Sequence, residues 1–198
     1  MPELAGLDPV PAPATTRVGR RILVAAGELF YERGITAVGV DLLAEHAGTT
    51  KRTLYQRFGS KDGLIAAYLQ QRAHDWQNAL LSALRDPAES PGWGGLGVVF
   101  AVAERWAAAN PRGCAFVNAW SELGAGESEA VDTVRAEKRW MLELFGRLLG
   151  DDALAAQIHL LYEGAQIQAS ILGDRAAFAR AEEASRQLTG ASGPDGPN

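Results

Sequence analysis

One cysteine stands among the 198 residues, Cys114, and a lone thiol excludes an internal disulfide framework. Long apolar runs are also missing. The best candidate, Leu96 to Ala103, is stopped by Glu104 and Arg105, well short of the roughly 18 residues a membrane span requires. The chain does not open on a basic segment followed by an apolar one, so no secretory signal is expected. These absences predict a soluble cytoplasmic protein with no membrane partner. The three histidines, His46, His74 and His159, lack metal-ligand spacing, so no metal is expected. His159 falls in an apolar stretch and reads as a hydrogen-bonded core residue. No Gly-rich phosphate loop or Ser/His/Asp arrangement occurs, and the adjacent acids Asp151-Asp152 and Glu182-Glu183 point in different directions around a helix. No catalytic residue and no cofactor is expected, and the chain does not read as an enzyme.

What is present is ordinary in bulk and uneven in distribution. Apolar residues make up 47% and charged residues 22%, as in a soluble globular protein. The net charge of −5 argues at first against a nucleic-acid partner. Between Arg17 and Asp75, however, nine basic residues face six acidic ones, a local +3 that leaves −8 for the rest. Thr49 to Lys61 holds Lys51, Arg52, Arg57 and Lys61 and no acid. A basic face on an acidic body suits phosphate, although so few charges also read as a solvated surface.

Residues 1–16 carry Pro2, Pro9, Pro11 and Pro13 and predict a disordered arm; residues 190–198 predict a loose tail. Between them the pattern is helical, with no run of alternating β-branched residues to suggest a strand. Ile22, Ala25, Ala26, Leu29 and Phe30 predict a first helix over 17–33, stopped by Gly34. A short helix follows over 40–47, and Gly48 ends it. Thr50 caps a third helix from Lys51 to Phe58, and Ser60 caps a long one to Arg85. The stretch 86–95 holds two prolines and three glycines and reads as a loop. Further helices are expected over 96–109, 114–123, 128–149, 151–172 and 174–188. The fold class is all-α, with about nine helices.

Two short helices joined by Gly48-Thr49, with the first helix across them, make a three-helix DNA-reading unit. Leu54 and Phe58, four residues apart, face inward; Lys51, Arg52, Tyr55 and Gln56 are left facing out. Arg and Lys suit phosphate or guanine, Gln suits adenine, and Tyr suits phosphate. Ser60 and Lys61 open the long helix, whose free N–H groups favour a phosphate. Tyr55 could instead be packing, and Arg52 and Arg57 solvated surface, but the surrounding motif favours contact. Arg17, Arg20 and Arg21 stand where an arm could reach phosphate or a minor groove.

Ala44, Ala47 and Gly48, then Thr53-Leu54-Tyr55, Phe58 and Ser60-Lys61-Asp62-Gly63-Leu64 resemble the signature of the tetracycline-repressor-like (TetR) family over about residues 20–66. The resemblance implies that Thr50, Lys51, Arg52, Thr53, Tyr55, Gln56 and Arg57 form the DNA-reading surface and that Lys61 touches backbone phosphate. It implies a homodimer on a near-palindromic double-stranded operator, acting as a repressor released by a small-molecule effector. The chain departs from the pattern at Gly39, where Ser or Thr is usual, at Thr49 for Val, and at Gly63, where a helix former is usual. The segment Arg112-Gly113-Cys114-Ala115-Phe116-Val117-Asn118, followed by Glu122, is similar to a branch of the family without a defined effector.

The implied division is DNA binding over 17–64 and ligand binding with dimerisation over 65–189. The aromatic set Trp93, Phe100, Trp106, Phe116, Trp120, Trp140, Phe145 and Tyr162 is mostly core. Since the resemblance implies an effector pocket, Phe100, Phe116, Asn118, Trp120, Tyr162 and Gln166 are its candidate lining. The helix over 151–172 is apolar on more than one face, which a dimeric four-helix bundle would cover. Cys114 reads as a small buried residue; a redox role would need a nearby cation, and in sequence only Arg112 offers one. Two rivals stay open: a helical ligand-binding protein or enzyme with a vestigial DNA motif, and a DNA-binding dimer without a ligand.

Overall fold

Thr16 begins the helical part of the chain: its Oγ1 accepts from the Gly19 N–H at 3.2 Å and caps α1 (Arg17–Arg33). The computed structural model describes residues 4–86, 88, 94–124 and 126–190, and regular structure among them is entirely helical. After α1 come α2 (Val40–His46), α3 (Lys51–Phe58), α4 (Lys61–Arg85), α5 (Gly94–Ala109), α6 (Ala115–Leu123), α7 (Glu129–Leu149), α8 (Asp152–Ile171) and α9 (Ala177–Leu188). The all-α class and the order of helices are as the sequence predicts. Asp151 Oδ1 starts α8 by accepting from the N–H groups of Ala153 and Leu154, at 2.9 and 3.0 Å.

Two starts differ from expectation by more than one residue. α5 begins at Gly94 instead of Leu96; a Cβ on Gly95 would stand 2.6 Å from Leu148 Cδ2, so the glycine serves close packing within a helix. α9 begins three residues after Asp174, because the Asp174 carboxylate accepts from the Ala176 N–H at 3.1 Å and folds a turn first. Most of the loop over 86–95, Trp93 and residues 191–198 lie outside the described residues.

The chain divides into two units that do not follow chain order: Val10–Trp76 with Ala115–Glu137, and Met1–Pro9 with Gln77–Cys114 and Lys138–Asn198. In the first unit, α1, α2 and α3 pack around Ile22, Ala26, Leu43 and Leu54, all fully or nearly fully buried. Phe30 meets Tyr68 of α4 edge to face, with centroids 5.6 Å apart. In the second unit, α5, α8 and α9 pack together over Phe100, Phe145, Tyr162 and Phe178.

The expectation of a disordered N-terminal arm does not hold for residues 4–16. In the first unit His74 Nδ1 lies 2.7 Å from the Val10 carbonyl, and Gln70 Nε2 donates to the Pro11 carbonyl at 2.9 Å. In the second, Leu7 is buried, and the carbonyls of Ala5 and Asp8 accept from Arg147 and Trp140 at 2.6 and 3.0 Å. Proline removes N–H donors but leaves carbonyls free. A Pro-rich segment can therefore be fixed by side chains donating to it, which composition does not reveal.

Candidate nucleic-acid interface

The turn between α2 and α3 fixes the exposed face of α3. Gly48, at φ +59°, donates to the Glu45 carbonyl at 3.0 Å, and Thr49 donates to the Ala44 carbonyl at 2.8 Å. Arg21 of α1 reaches across, its guanidinium donating to the Gly48 carbonyl at 3.3 Å. Thr50 Oγ1 accepts from the Thr53 N–H at 3.2 Å and caps α3, and the two hydroxyls lie 3.0 Å apart. With Leu54 fully buried and Phe58 half-buried, the remaining face is forced outward.

That outward face carries the predicted residues. Lys51, Arg52, Tyr55, Gln56 and Arg57 are exposed, Tyr55 at 44% despite its size. Among the described residues Arg52, Gln56 and Arg57 make no side-chain hydrogen bond or ion pair. Lys51 does: its ammonium pairs with Asp41 of α2 at 2.6 Å, an exposed contact. Thr53 is half-buried, and its hydroxyl is held by Thr50.

Lys61, the expected phosphate contact, also has a partner within the fold. Its Nζ donates to the Ile35 carbonyl at 2.7 Å in a partly buried position. Burial lowers its pKa below the usual lysine value, and the negative charge of Glu122 opposes that shift. The Glu122 carboxylate itself accepts from the Thr36 N–H and hydroxyl, at 2.8 and 2.9 Å. Glu122 thus holds the α1–α2 turn from the end of α6. Sequence reasoning gave it no role, and 86 residues of separation leave no local signal for one.

Gly63, a departure from the family pattern, has a local cause. A Cβ there would lie 2.2 Å from the Phe58 carbonyl oxygen, so the tight α3–α4 turn excludes larger residues. Ser60 Oγ still caps α4 by accepting from the Gly63 N–H at 2.9 Å.

Comparison with known proteins agrees with this geometry. Residues 22–68 match the model for bacterial regulatory proteins of the tetR family. A tetr-transcriptional regulator from Streptomyces avermitilis is 30% identical, with 86% of this chain and 98% of that one covered and a TM-score of 0.69. The chain belongs to the TetR family. A TetR-family transcriptional regulator from Streptomyces coelicolor is 27% identical over 87% of this chain and 94% of that one, with a TM-score of 0.76. The HTH-type transcriptional activator FasR of Mycolicibacterium smegmatis is 39% identical over 70 residues, 35% of this chain and 32% of that protein. The match therefore spans about a third of that curated relative's length.

In this TetR-family chain the six candidate pocket residues do not fall into one unit. Phe100 and Tyr162 are buried in the second unit with ring centroids 6.4 Å apart, and Phe145 lies 5.6 Å from Tyr162. Gln166, half-buried, follows Tyr162 by four residues on α8. Phe116, Asn118 and Trp120 belong to α6 in the first unit. Phe116 is buried there, whereas Trp120 is 39% exposed with the Arg135 guanidinium 5.5 Å from its ring.

His159 is largely buried, stacked on Tyr162 at 17° with its Nε2 3.3 Å from the Glu163 carboxylate. Lys138 completes that cluster at 2.9 Å from Glu163, and its Nζ lies 3.5 Å from Cys114 Sγ. Lys138, 24 residues away in sequence, thus brings a cation to Cys114 that sequence proximity does not suggest. Burial acts to raise the Glu163 pKa, yet the His159 contact and Lys138 together hold it below the usual carboxylate value.

Proposed function

We propose that this chain is a homodimeric, sequence-specific DNA-binding regulator of transcription that works in the cytoplasm as a repressor released by a small molecule. The observation that carries DNA binding is the outward face of α3, where Arg52, Gln56 and Arg57 stand exposed and unpaired among the described residues beside Tyr55. A buried Leu54 and a capped N-terminus keep that face rigid, so side chains that suit phosphates and base edges are presented together. Residues 17–64 supply the DNA-reading part, and 65–189 the ligand-binding and dimerising part.

Dimerisation is supported by α8. Leu160, Ile167 and Ile171 lie on one stripe and are 73%, 40% and 72% exposed; Leu172 adds 72% exposure just beyond the helix. Apolar side chains so arranged call for a partner, and a second copy of α8 and α9 would bury them in a four-helix bundle. A twofold dimer presents two α3 helices to successive major grooves, hence a near-palindromic operator. Effector release would act through α4, which is continuous from the first unit into the second. It requires differential affinity for two states, typically about 1–3 kcal/mol. An activator reading has a specific support as well, since FasR is named a transcriptional activator.

Selection of genomic fragments by the purified protein tests the proposal, followed by binding to any enriched site over a range of salt. An enriched palindrome whose affinity is lost in an Arg52→Ala/Tyr55→Ala double variant is the expected outcome. Transcription in vitro from the adjoining promoter then gives the sign of regulation. Absence of enrichment at low salt, from a folded dimer, would overturn DNA binding and favour a ligand-binding protein or enzyme.

A further inference from the structure

The first unit contains a cavity of about 490 Å³ between residues 12–15, α1 and α4, within the roughly 300–1,000 Å³ range of small-ligand sites. We propose that it binds a small aromatic carboxylate, with the carboxylate on Arg20 and the ring against Val24, Gly27 and Tyr68. This site lies on the DNA-reading unit itself and shares no lining residue with the effector-pocket candidates considered above. It requires no assumption about which DNA the chain reads.

The lining sets the ligand class. Leu23 and Tyr68 are buried, and Val24 leaves 58% of its surface open, so the cavity offers an apolar surface facing solvent. Gly27 is informative because nothing in the fold demands it. A Cβ there would meet only the Tyr68 ring at 3.7 Å, an ordinary contact, and no positive φ occurs at this position. A mid-helix glycine costs roughly 1 kcal/mol relative to alanine. What it leaves is open space beside an aromatic ring.

Charge fixes the rest. Arg20 is exposed and makes no side-chain hydrogen bond or ion pair among the described residues. Asp75, the acid on the lining, already accepts from Gln71 Nε2 at 2.8 Å. Arg72 adds a second cation, its guanidinium 5.0 Å from the Tyr31 ring centroid. Two guanidiniums against one carboxylate favour an anionic head group. The wall formed by residues 12–15 follows directly on Val10 and Pro11, whose carbonyls are held by His74 and Gln70, so the site is built before a ligand arrives.

Calorimetric titration of the full chain with 2-naphthoate tests this, with neutral 2-naphthamide alongside. Saturable 2-naphthoate binding with Kd below about 1 mM is expected. Arg20→Gln should weaken 2-naphthoate by about tenfold or more while leaving the amide unchanged. Val24→Trp, made at an exposed position that the core does not use, should block both probes in a protein with unaltered circular dichroism. Two results would overturn the proposal: no saturable 2-naphthoate binding to about 5 mM, or binding unchanged in both variants.

Discussion

Glu122 and Thr36 are joined by two hydrogen bonds to one carboxylate oxygen, from the Thr36 N–H at 2.8 Å and its hydroxyl at 2.9 Å. Both contacts lie near the surface, so each is worth about 1 kcal/mol, somewhat more for a charged acceptor. Glu122→Ala should therefore lower unfolding free energy by about 1–2 kcal/mol in urea titrations, and Glu122→Gln by less, since an oxygen acceptor survives. A double-mutant cycle with Thr36→Val should return a coupling above about 0.5 kcal/mol; additive losses would mean the pair is not coupled.

Lys61 gives a pH dependence of defined sign. Its folded pKa lies below the ordinary lysine value because burial opposes the charged form. The unfolded chain thus binds more protons between the two pKa values, and stability rises with pH through that alkaline window. Glu122→Gln removes the charge that opposes the shift, so the Lys61 pKa should fall further, read by NMR of the side-chain amine. For DNA, Lys61→Ala should weaken all sequences about equally and reduce the salt slope by about one phosphate contact. A changed sequence preference at constant slope would reassign Lys61 to holding the Ile35 carbonyl alone.

The α3 surface was legible in the sequence because its cause is local: Thr50, Leu54 and Phe58 orient one short helix, and the charges follow. The helix boundaries were legible for the same reason, since glycines and cap residues sit beside what they end. The Glu122 contact, the fixed N-terminal segment and the Lys138–Cys114 approach were not. Each joins residues remote in sequence, through polar groups that carry no periodic pattern. The pocket candidates had no such local cause, because aromatic residues mark cores generally; Phe116 and Tyr162 are buried in different units.

Asp41 restrains a predicted DNA contact. Its pair with Lys51 at 2.6 Å is exposed, so Asp41→Asn should change stability by less than about 0.5 kcal/mol. Freed from that partner, Lys51 should strengthen operator binding by roughly two- to tenfold at low salt, with the gain fading as salt screens it. Equal gains at low and high salt would show that the charge of Asp41 is not the cause.

Two glycines should respond oppositely to the same substitution. Alanine at Gly63 would place a Cβ 2.2 Å from the Phe58 carbonyl oxygen, a backbone atom that cannot swing away. Gly63→Ala should cost about 1–3 kcal/mol despite the better helix propensity of alanine. Gly27→Ala meets no such clash and should be neutral or stabilising by up to about 1 kcal/mol. Melting temperatures of the two variants, measured together, decide between local sterics and propensity.

The stripe on α8 carries the oligomeric state. A single exposed leucine means little, but Leu160, Ile167 and Ile171 recur at helical spacing, and Leu188 near the end of α9 is also half open. If a second copy covers them, a charge placed there loses burial and gains repulsion across a twofold axis, where each substitution occurs twice. Leu160→Arg with Ile171→Arg should then give a folded monomer by sedimentation velocity, with helical content retained. Binding to a palindromic site should fall far more than binding to a half-site, because the half-site needs only one α3. A variant that sediments as the wild type does would place the interface elsewhere; a wild type that is itself monomeric would remove the twofold reading altogether.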